Sequence, residues 1–244
     1  SLSCSNHSLT AQTKYNMMGF ELQMKPLMNN MFSSQTDNER FNANEKFMDI
    51  MEDALMTEKS FSYPFDSLDK IKILTSKDNM FRIMTWAIVN QNGDYENFGF
   101  VQAKNLTSGE YEVYRLYDKS EESNMPEYDK MNDSTWFGAV YYDLITTKNE
   151  NNTYYTLLGW DGNNIYTHRK VIEPISFARN SARPIFGQNI FYKDKNRRRY
   201  IFEYAPEATF NLKWDNQYYQ VGEKKKKKST LFKKAKPFEV VDPK

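Results

Sequence analysis

Two patterns of apolar residues divide the chain into one helix and a long series of strands. From Thr36 to Leu55, apolar residues recur at three- and four-residue steps, which predicts an amphipathic helix that packs on the rest of the fold. Thr36 followed by Glu39 is the pattern of a capping box, and Pro64 disfavours helical backbone in the residue before it. We predict that residues 36–60 contain this helix.

From Ile71 onward, apolar and polar residues alternate with the two-residue period of half-buried strands. Polar turns separate the segments, which are short and closely spaced, as in antiparallel sheets. The predicted strands are residues 71–75, 81–89, 98–102, 112–117, 136–145, 153–160, 170–177, 189–192, 199–204, 208–214 and 217–221. The predicted fold class is mainly β (α+β), an antiparallel meander, sandwich or partial propeller-like sheet system preceded by one amphipathic N-terminal helix.

The remaining segments complete the predicted domain organisation. Residues 1–35 are polar, with scattered methionines and little periodicity, which predicts an extended N-terminal arm that docks on another surface or forms a mobile tail. Residues 61–244 form the β-rich domain, in which the long polar insertion 118–135 is expected to be a surface loop. The four tryptophans are unequally spaced, which argues against a propeller repeat.

The composition excludes several kinds of chemistry. The single cysteine, Cys4, allows no internal disulfide and no cysteine-based zinc site, and two histidines are too few for a multi-histidine metal centre. Glycine is too sparse for a phosphate loop or a dinucleotide fingerprint. No apolar run reaches the roughly 20 residues of a membrane-spanning helix. We therefore predict no cofactor, no metal and no membrane-spanning segment.

The sharpest local motif is the segment from Gly159 to Asn164. Asp161 and Asn163 alternate like the first ligands of a calcium loop, but the twelfth position from Asp161 is Ile172 rather than the closing glutamate. A tight Asx-Gly turn at the end of a strand is therefore the favoured interpretation, with a calcium site as the alternative.

No catalytic residue is predicted from the sequence. His168 lies next to Arg169 and Lys170, and no nucleophile elbow accompanies it. Two carboxylates that meet only in the fold would escape this kind of search, so a carboxylate-based site stays open.

The near-zero net charge of +1 hides a strong segregation. Residues 1–188 carry 18 Lys and Arg against 25 Asp and Glu, whereas residues 189–244 carry 15 against 7. Two basic runs fall between predicted strands, and we predict that they form a surface for an acidic partner, with solvated hairpin tips as the alternative. No nucleic-acid recognition motif accompanies them, so nucleic acid is not a predicted partner. The candidate partner-surface residues are Arg197, Arg198, Arg199, Lys224, Lys225, Lys226, Lys227 and Lys228.

The first residues suggest a lipid anchor. Cys4 follows small and apolar residues and precedes a polar stretch, as the lipidated cysteine of a bacterial lipoprotein does. The alternative is an ordinary free cysteine in a disordered tail, because a mature lipoprotein would begin with the cysteine itself.

A likeness to known proteins spans about residues 40–215 and rests on residues 61–68, 73–83, 98–102, 141–142, 153–162, 170–172 and 201–204. In these segments the chain resembles an uncharacterised family of exported β-rich proteins of Bacteroidota-type bacteria. The family carries no established reaction or catalytic residues. Its members continue past the equivalent of Pro243 with further Tyr- and Gly-rich strands, so the last strands are expected to be absent here.

This resemblance implies an exported, periplasmic protein that is associated with the outer membrane. We expect a non-enzymatic accessory or scaffolding subunit of an envelope complex, with the type IX secretion machinery as the suggested host and other envelope proteins as partners. One alternative is a hydrolase of envelope polymers or glycans, with two carboxylates from separate strands near aromatic platforms. The other is a carbohydrate-binding module with exposed coplanar rings.

Overall fold

The computed structural model describes residues 4–150 and 152–215, with side chains from Gln12 onward. Within these residues, two α-helices precede ten strands, and three 3₁₀ turns lie at Ser60–Ser62, Ser120–Glu122 and Asp133–Thr135. The helices are α1 (Cys4–Ser33) and α2 (Asp37–Met56). The strands are β1 (Lys72–Thr75), β2 (Phe81–Val89), β3 (Tyr95–Lys104), β4 (Tyr111–Tyr117), β5 (Met131–Asn132), β6 (Val140–Asn149), β7 (Asn152–Asp161), β8 (His168–Phe177), β9 (Pro184–Phe186) and β10 (Tyr200–Tyr204).

The strands form two antiparallel sheets in a sandwich-like arrangement, which confirms the predicted fold class. The first sheet is a meander in the order β1-β2-β3-β4. The second has the order β5-β9-β8-β7-β6, and β10 pairs with β8 on the same edge as β9. We call them sheet 1 and sheet 2.

Sheet 1 is the middle layer of the molecule. One face of β2 packs its Trp86 and Met84 against the methionines and Phe47 of the two helices. The opposite face packs Phe81 and Ile83 against the inner side chains of sheet 2. Because β2 is buried on both faces, it reads in sequence as a nearly continuous apolar run rather than a strict alternation.

Helix α2 confirms the predicted amphipathic helix. Thr36 is its N-cap, and the capping box with Glu39 is present in both directions. The predicted stripe is the buried face, with Phe47, Met51 and Leu55 almost fully covered.

The predicted extended arm at residues 1–35 is wrong, because helix α1 occupies most of this segment and packs along α2. Met17, Met24, Met28 and Met31 are fully buried at helical spacing. Glu21 lies in the middle of the same stripe and is itself buried, which hides the apolar period from the sequence.

The strand predictions hold for sheet 1, for the long strands of sheet 2 and for β10, which matches the predicted strand 199–204. Residues 189–192 and 208–214 are not strands, and β9 and β10 pair with the edge of β8 instead. The segment 118–135 is not only a loop, since it contains β5 and two 3₁₀ turns. The predicted strand 217–221 lies outside the described residues.

Candidate functional site

A groove with carboxylates along its walls lies where the β3–β4 end of sheet 1 meets the loop after β7. Its cavity has a volume of about 730 Å³. Six acidic residues line it against Arg115 and Lys119. We call it the acidic groove, and its carboxylates come from Asp94, Glu96, Asp118, Glu121, Glu122 and Asp161.

One amide joins two of these carboxylates across the sheets. Asn97 Nδ2 donates to Asp118 Oδ2 at 3.0 Å and to Asp161 Oδ1 at 3.2 Å. The two accepting oxygens are therefore no more than 6.2 Å apart. Burial raises the pKa of both carboxyl groups above the usual aspartate range.

Both carboxylates are already saturated with partners. Asp161 is 2% exposed, and it also accepts from the backbone N–H of Asn163 at 2.9 Å and faces Arg169 at 3.5 Å. Asp118 Oδ1 accepts from the backbone N–H and the hydroxyl of Ser120. The upper limit on the separation includes the roughly 5–5.5 Å between the carboxylates of a retaining glycosidase, but each oxygen is bound, and Asp161 is covered. This geometry favours a structural role, in which Asn97 joins Asp118 to Asp161 and so links the two sheets, over acid–base catalysis. We call these three residues the clamp.

The bond from Asn163 to Asp161 is an Asx turn, so the favoured interpretation of this motif is confirmed. Within residues 4–150 and 152–215, no group of three or more His, Cys, Asp or Glu is placed to hold a metal ion.

Two glycines permit the close packing around this clamp. A Cβ at Gly138, where φ is +79°, would lie 2.1 Å from Asp118 Oδ2. A Cβ at Gly162 would lie 2.3 Å from the ring of Tyr95, which forms one wall of the groove. Any side chain at either position would displace a residue of the clamp or the groove wall.

The outer part of the groove carries negative charge with few cations. Glu122 pairs with Lys119 at 2.6 Å, and Glu121 lies 3.6 Å from Arg169. Burial and then the neighbouring charges of Asp118 and Asp37 raise the pKa of Glu96, although its side chain is largely exposed.

His168 belongs to an aromatic cluster rather than to a charged one. Its ring meets those of Tyr95, Trp160 and Tyr204 edge-on, with centroids 5.4 to 6.1 Å apart. These contacts position the start of β8 beside the groove.

The prediction that Arg199 belongs to a partner surface is wrong, because the residue is fully buried. Its Nε donates to Glu173 Oε1 at 2.5 Å, and its NH1 donates to backbone carbonyls of the 118–135 segment. Tyr141 donates to the other oxygen of Glu173. Burial of the guanidinium is tolerated because it donates hydrogen bonds to Glu173 and to backbone carbonyls that are themselves enclosed in the fold.

The neighbouring arginines are also engaged within the fold. Arg197 pairs with Glu127 and with Asp194, and its guanidinium stacks on nearby tyrosine rings. Arg198 is half-buried and donates to the carbonyl of Gly187. The other predicted candidates, Lys224–Lys228, lie outside the described residues. Cys4 is the first residue of α1, and its side chain is likewise outside the described part.

A second groove, with a volume of about 620 Å³, runs between α1 and residues 59–67. Its floor is Glu21, which accepts from the Tyr63 hydroxyl and from the backbone N–H of Ser67 at 2.7 Å. Beside this groove, Tyr15, Met18 and Leu22 are 75%, 47% and 73% exposed. We call these three residues the α1 stripe.

Sequence reasoning missed both sites for different reasons. Asn97 and Asp118 carry no local motif, because the clamp forms only when β3, β4 and β7 meet. The α1 stripe had a signal, since Tyr15, Met18 and Leu22 recur at three- and four-residue steps on the face opposite the buried methionines.

Neither α1 nor α2 has the combination of length and hydropathy that a membrane span requires. Comparison with family models, with curated proteins and with solved structures finds no match for this chain.

Proposed function

We propose that the protein is a non-enzymatic accessory or scaffolding subunit of a cell-envelope complex, acting through protein–protein contacts. The observation that carries the proposal is the α1 stripe, an apolar helix face that no described residue of the chain covers. Large apolar side chains that recur on one exposed helix face are typical of surfaces that bind another segment.

The groove beside the stripe supports the same reading. Met18 and Leu22 belong both to the stripe and to the groove wall, so the two form one continuous surface. The bonds from Tyr63 and Ser67 to Glu21 hold the groove floor in place. A surface that is formed before binding loses less entropy when a partner docks.

The charges near the stripe indicate the chemistry of the partner segment. From Gln12 to Ser33, both exposed charged residues of α1, Lys14 and Lys25, are positive, and the one acid, Glu21, is buried. An amphipathic helix with an apolar stripe and acidic flanks complements this surface.

The cellular setting of the proposal rests on the resemblance to exported proteins. It assigns the protein to the periplasm at the outer membrane, within a multi-subunit complex for which the type IX secretion machinery is the suggested host. Lipidation of Cys4 is part of this proposal. Intact-mass measurement of the native protein is expected to show an acylated N-terminal cysteine, and a free Ser1 terminus would contradict it.

The test compares two double variants after purification from the native membrane in mild detergent. Tyr15→Ser with Leu22→Ser removes most of the stripe, and we expect the co-purifying envelope proteins to be lost. Tyr192→Ser with Leu106→Ser removes a tyrosine and a leucine of similar exposure elsewhere, at 74% and 76%. This control variant should still co-purify with the envelope proteins. A wild-type protein that elutes as a solitary monomer would contradict the proposal.

A further inference from the structure

The segregated charge of the chain has no role in the proposed function. Residues 1–215 hold 24 Lys and Arg against 29 Asp and Glu, whereas residues 216–244 hold 9 against 3. The larger part of the molecule is therefore negative, and the last 29 residues are positive. Five of the nine basic residues are consecutive, at Lys224–Lys228.

Part of the negative charge in the acidic groove is not neutralised by a cation. Among the described residues, Asp94, Glu96 and Asp118 have no ion-pair partner, whereas the other three acids of the groove face Lys119 or Arg169. A cleft lined by one sign of charge focuses its field and attracts the opposite charge.

The wall of the groove also has more hydrogen-bond acceptors than donors. Asn97 is 4% exposed, and its Nδ2 is shared between Asp118 and Asp161. Its buried Oδ1 accepts no hydrogen bond from any described residue. A buried acceptor without a donor is uncommon in folded proteins, and here it belongs to an amide whose Nδ2 is already shared between two carboxylates. The groove wall formed by Asp94, Glu96 and Asn97 therefore offers acceptors without matching cationic donors.

The path of the chain brings the C-terminal residues near this groove. Phe210 contacts Tyr204 at 5.5 Å between ring centroids, Tyr204 contacts His168 at 5.9 Å, and His168 contacts Tyr95 of the groove wall at 6.1 Å. These contacts place the ring of Phe210 no more than 17.5 Å from that of Tyr95. Lys224 follows fourteen residues after Phe210, a separation that spans up to about 46 Å when extended. The lysine tract can therefore reach the groove of its own chain.

We propose that the acidic groove is an intramolecular docking site for the lysine tract Lys224–Lys228. The ammonium groups supply the counter-charge that Asp94, Glu96 and Asp118 lack among the described residues. While the tract is docked it is unavailable to other molecules, so an acidic partner must compete with the groove for it. The inference is independent of the α1 stripe, which lies on a different surface.

The test is cross-linking of the full-length protein with a water-soluble carbodiimide, which joins a carboxylate to an amine where the two touch. Peptide mass spectrometry is expected to find links from the tract to Asp94 or Glu96. Raising the salt to 1 M shortens the Debye length to about 3 Å and should abolish them. A mixture of ¹⁴N- and ¹⁵N-labelled protein separates the sources, because docking within one chain gives no mixed-label links.

The control is Glu207, an exposed acid that is closer to the tract in sequence than the groove acids are and would be linked before them by random encounter. Asp94→Asn with Glu96→Gln should remove the groove links, whereas Glu207→Gln should leave them unchanged. Links that favour Glu207, links insensitive to the double variant, or links only between differently labelled copies would each overturn the proposal.

Discussion

At the scale of single residues, the pair of Glu173 and Arg199 shows how a charged motif becomes part of the core. Both side chains are fully buried, and Tyr141 and two backbone carbonyls extend the network. Burial raises the pKa of the Tyr141 hydroxyl, and the charge of Glu173 raises it further, so Tyr141 stays a donor. The arginine therefore joins β10 and the 118–135 segment to β8.

We predict that Glu173→Gln lowers the free energy of unfolding by about 3–5 kcal/mol, because Arg199 keeps its charge in the core without a counter-charge. Denaturant unfolding measures the change. The matched control is Asp133→Asn, which breaks a pair with the half-exposed Arg183 and should cost about 0–1 kcal/mol. Equal effects of the two substitutions would contradict the structural role of the buried pair.

A second prediction concerns Asp118, whose pKa burial raises in the folded state. Between its usual pKa and the raised one, the folded state binds more protons than the unfolded state, so this group's contribution to stability falls as the pH rises. Asp118→Asn removes that contribution. The stability of the variant relative to wild type should therefore rise with pH through this window and then level off. Urea unfolding from pH 4 to pH 8 measures the difference, and a relative stability that falls with pH would contradict it.

At the scale of elements, the helices show what a sequence pattern can and cannot reveal. Helix α2 was predictable, because its apolar stripe is uninterrupted and Thr36 and Glu39 mark its start. Helix α1 was not, because Glu21 lies within its buried stripe and is compensated only by Tyr63 and Ser67, distant in sequence. A local sequence pattern predicts local structure. It does not predict that a polar side chain is buried when its hydrogen-bond partners are distant in sequence.

The same limit applies to the acidic groove. The Asx turn at Asp161 was predictable, because Asp161 and Asn163 lie only two positions apart in sequence. The clamp was not, because Asn97 comes from β3 and Asp118 from the end of β4, and neither has a distinctive neighbour. The arginine run appeared accessible in sequence, yet its burial depends on acceptors about 26 and 70 residues away.

We predict that α1 is an integral part of the fold. Met24→Ala should lower the free energy of unfolding by about 2–5 kcal/mol, because Met24 is fully buried and its truncation leaves a cavity. Leu22→Ala, on the exposed face of the same helix, should change it by less than about 0.5 kcal/mol. Thermal or denaturant unfolding measures both, and a neutral Met24→Ala would indicate that α1 is dispensable for stability.

At the scale of the whole molecule, sheet 1 takes part in the two larger of the three hydrophobic cores among the described residues. Hydrogen bonds also cross between the sheets, from the backbone N–H of Tyr141 to Thr85 Oγ1 at 2.9 Å and from the Tyr155 hydroxyl to Asp78 Oδ2 at 2.6 Å. The acidic groove lies on the same junction. Its geometry therefore depends on the relative position of the two sheets and not on one element.

Because β2 and β3 contribute to both cores, we predict that the helices and the two sheets unfold in one cooperative transition. Trp86 reports on the core beneath the helices and Trp136 on the core between the sheets, and 5-fluorotryptophan labelling makes each visible by ¹⁹F NMR. Their native signals should disappear at the same urea concentration. Tyr155→Phe removes a hydrogen bond between the sheets and should lower both urea midpoints together. The expected loss in the free energy of unfolding is about 1–3 kcal/mol. Loss of the Trp86 signal at a lower urea concentration than that of Trp136 would show instead that the helical layer opens independently of the sandwich.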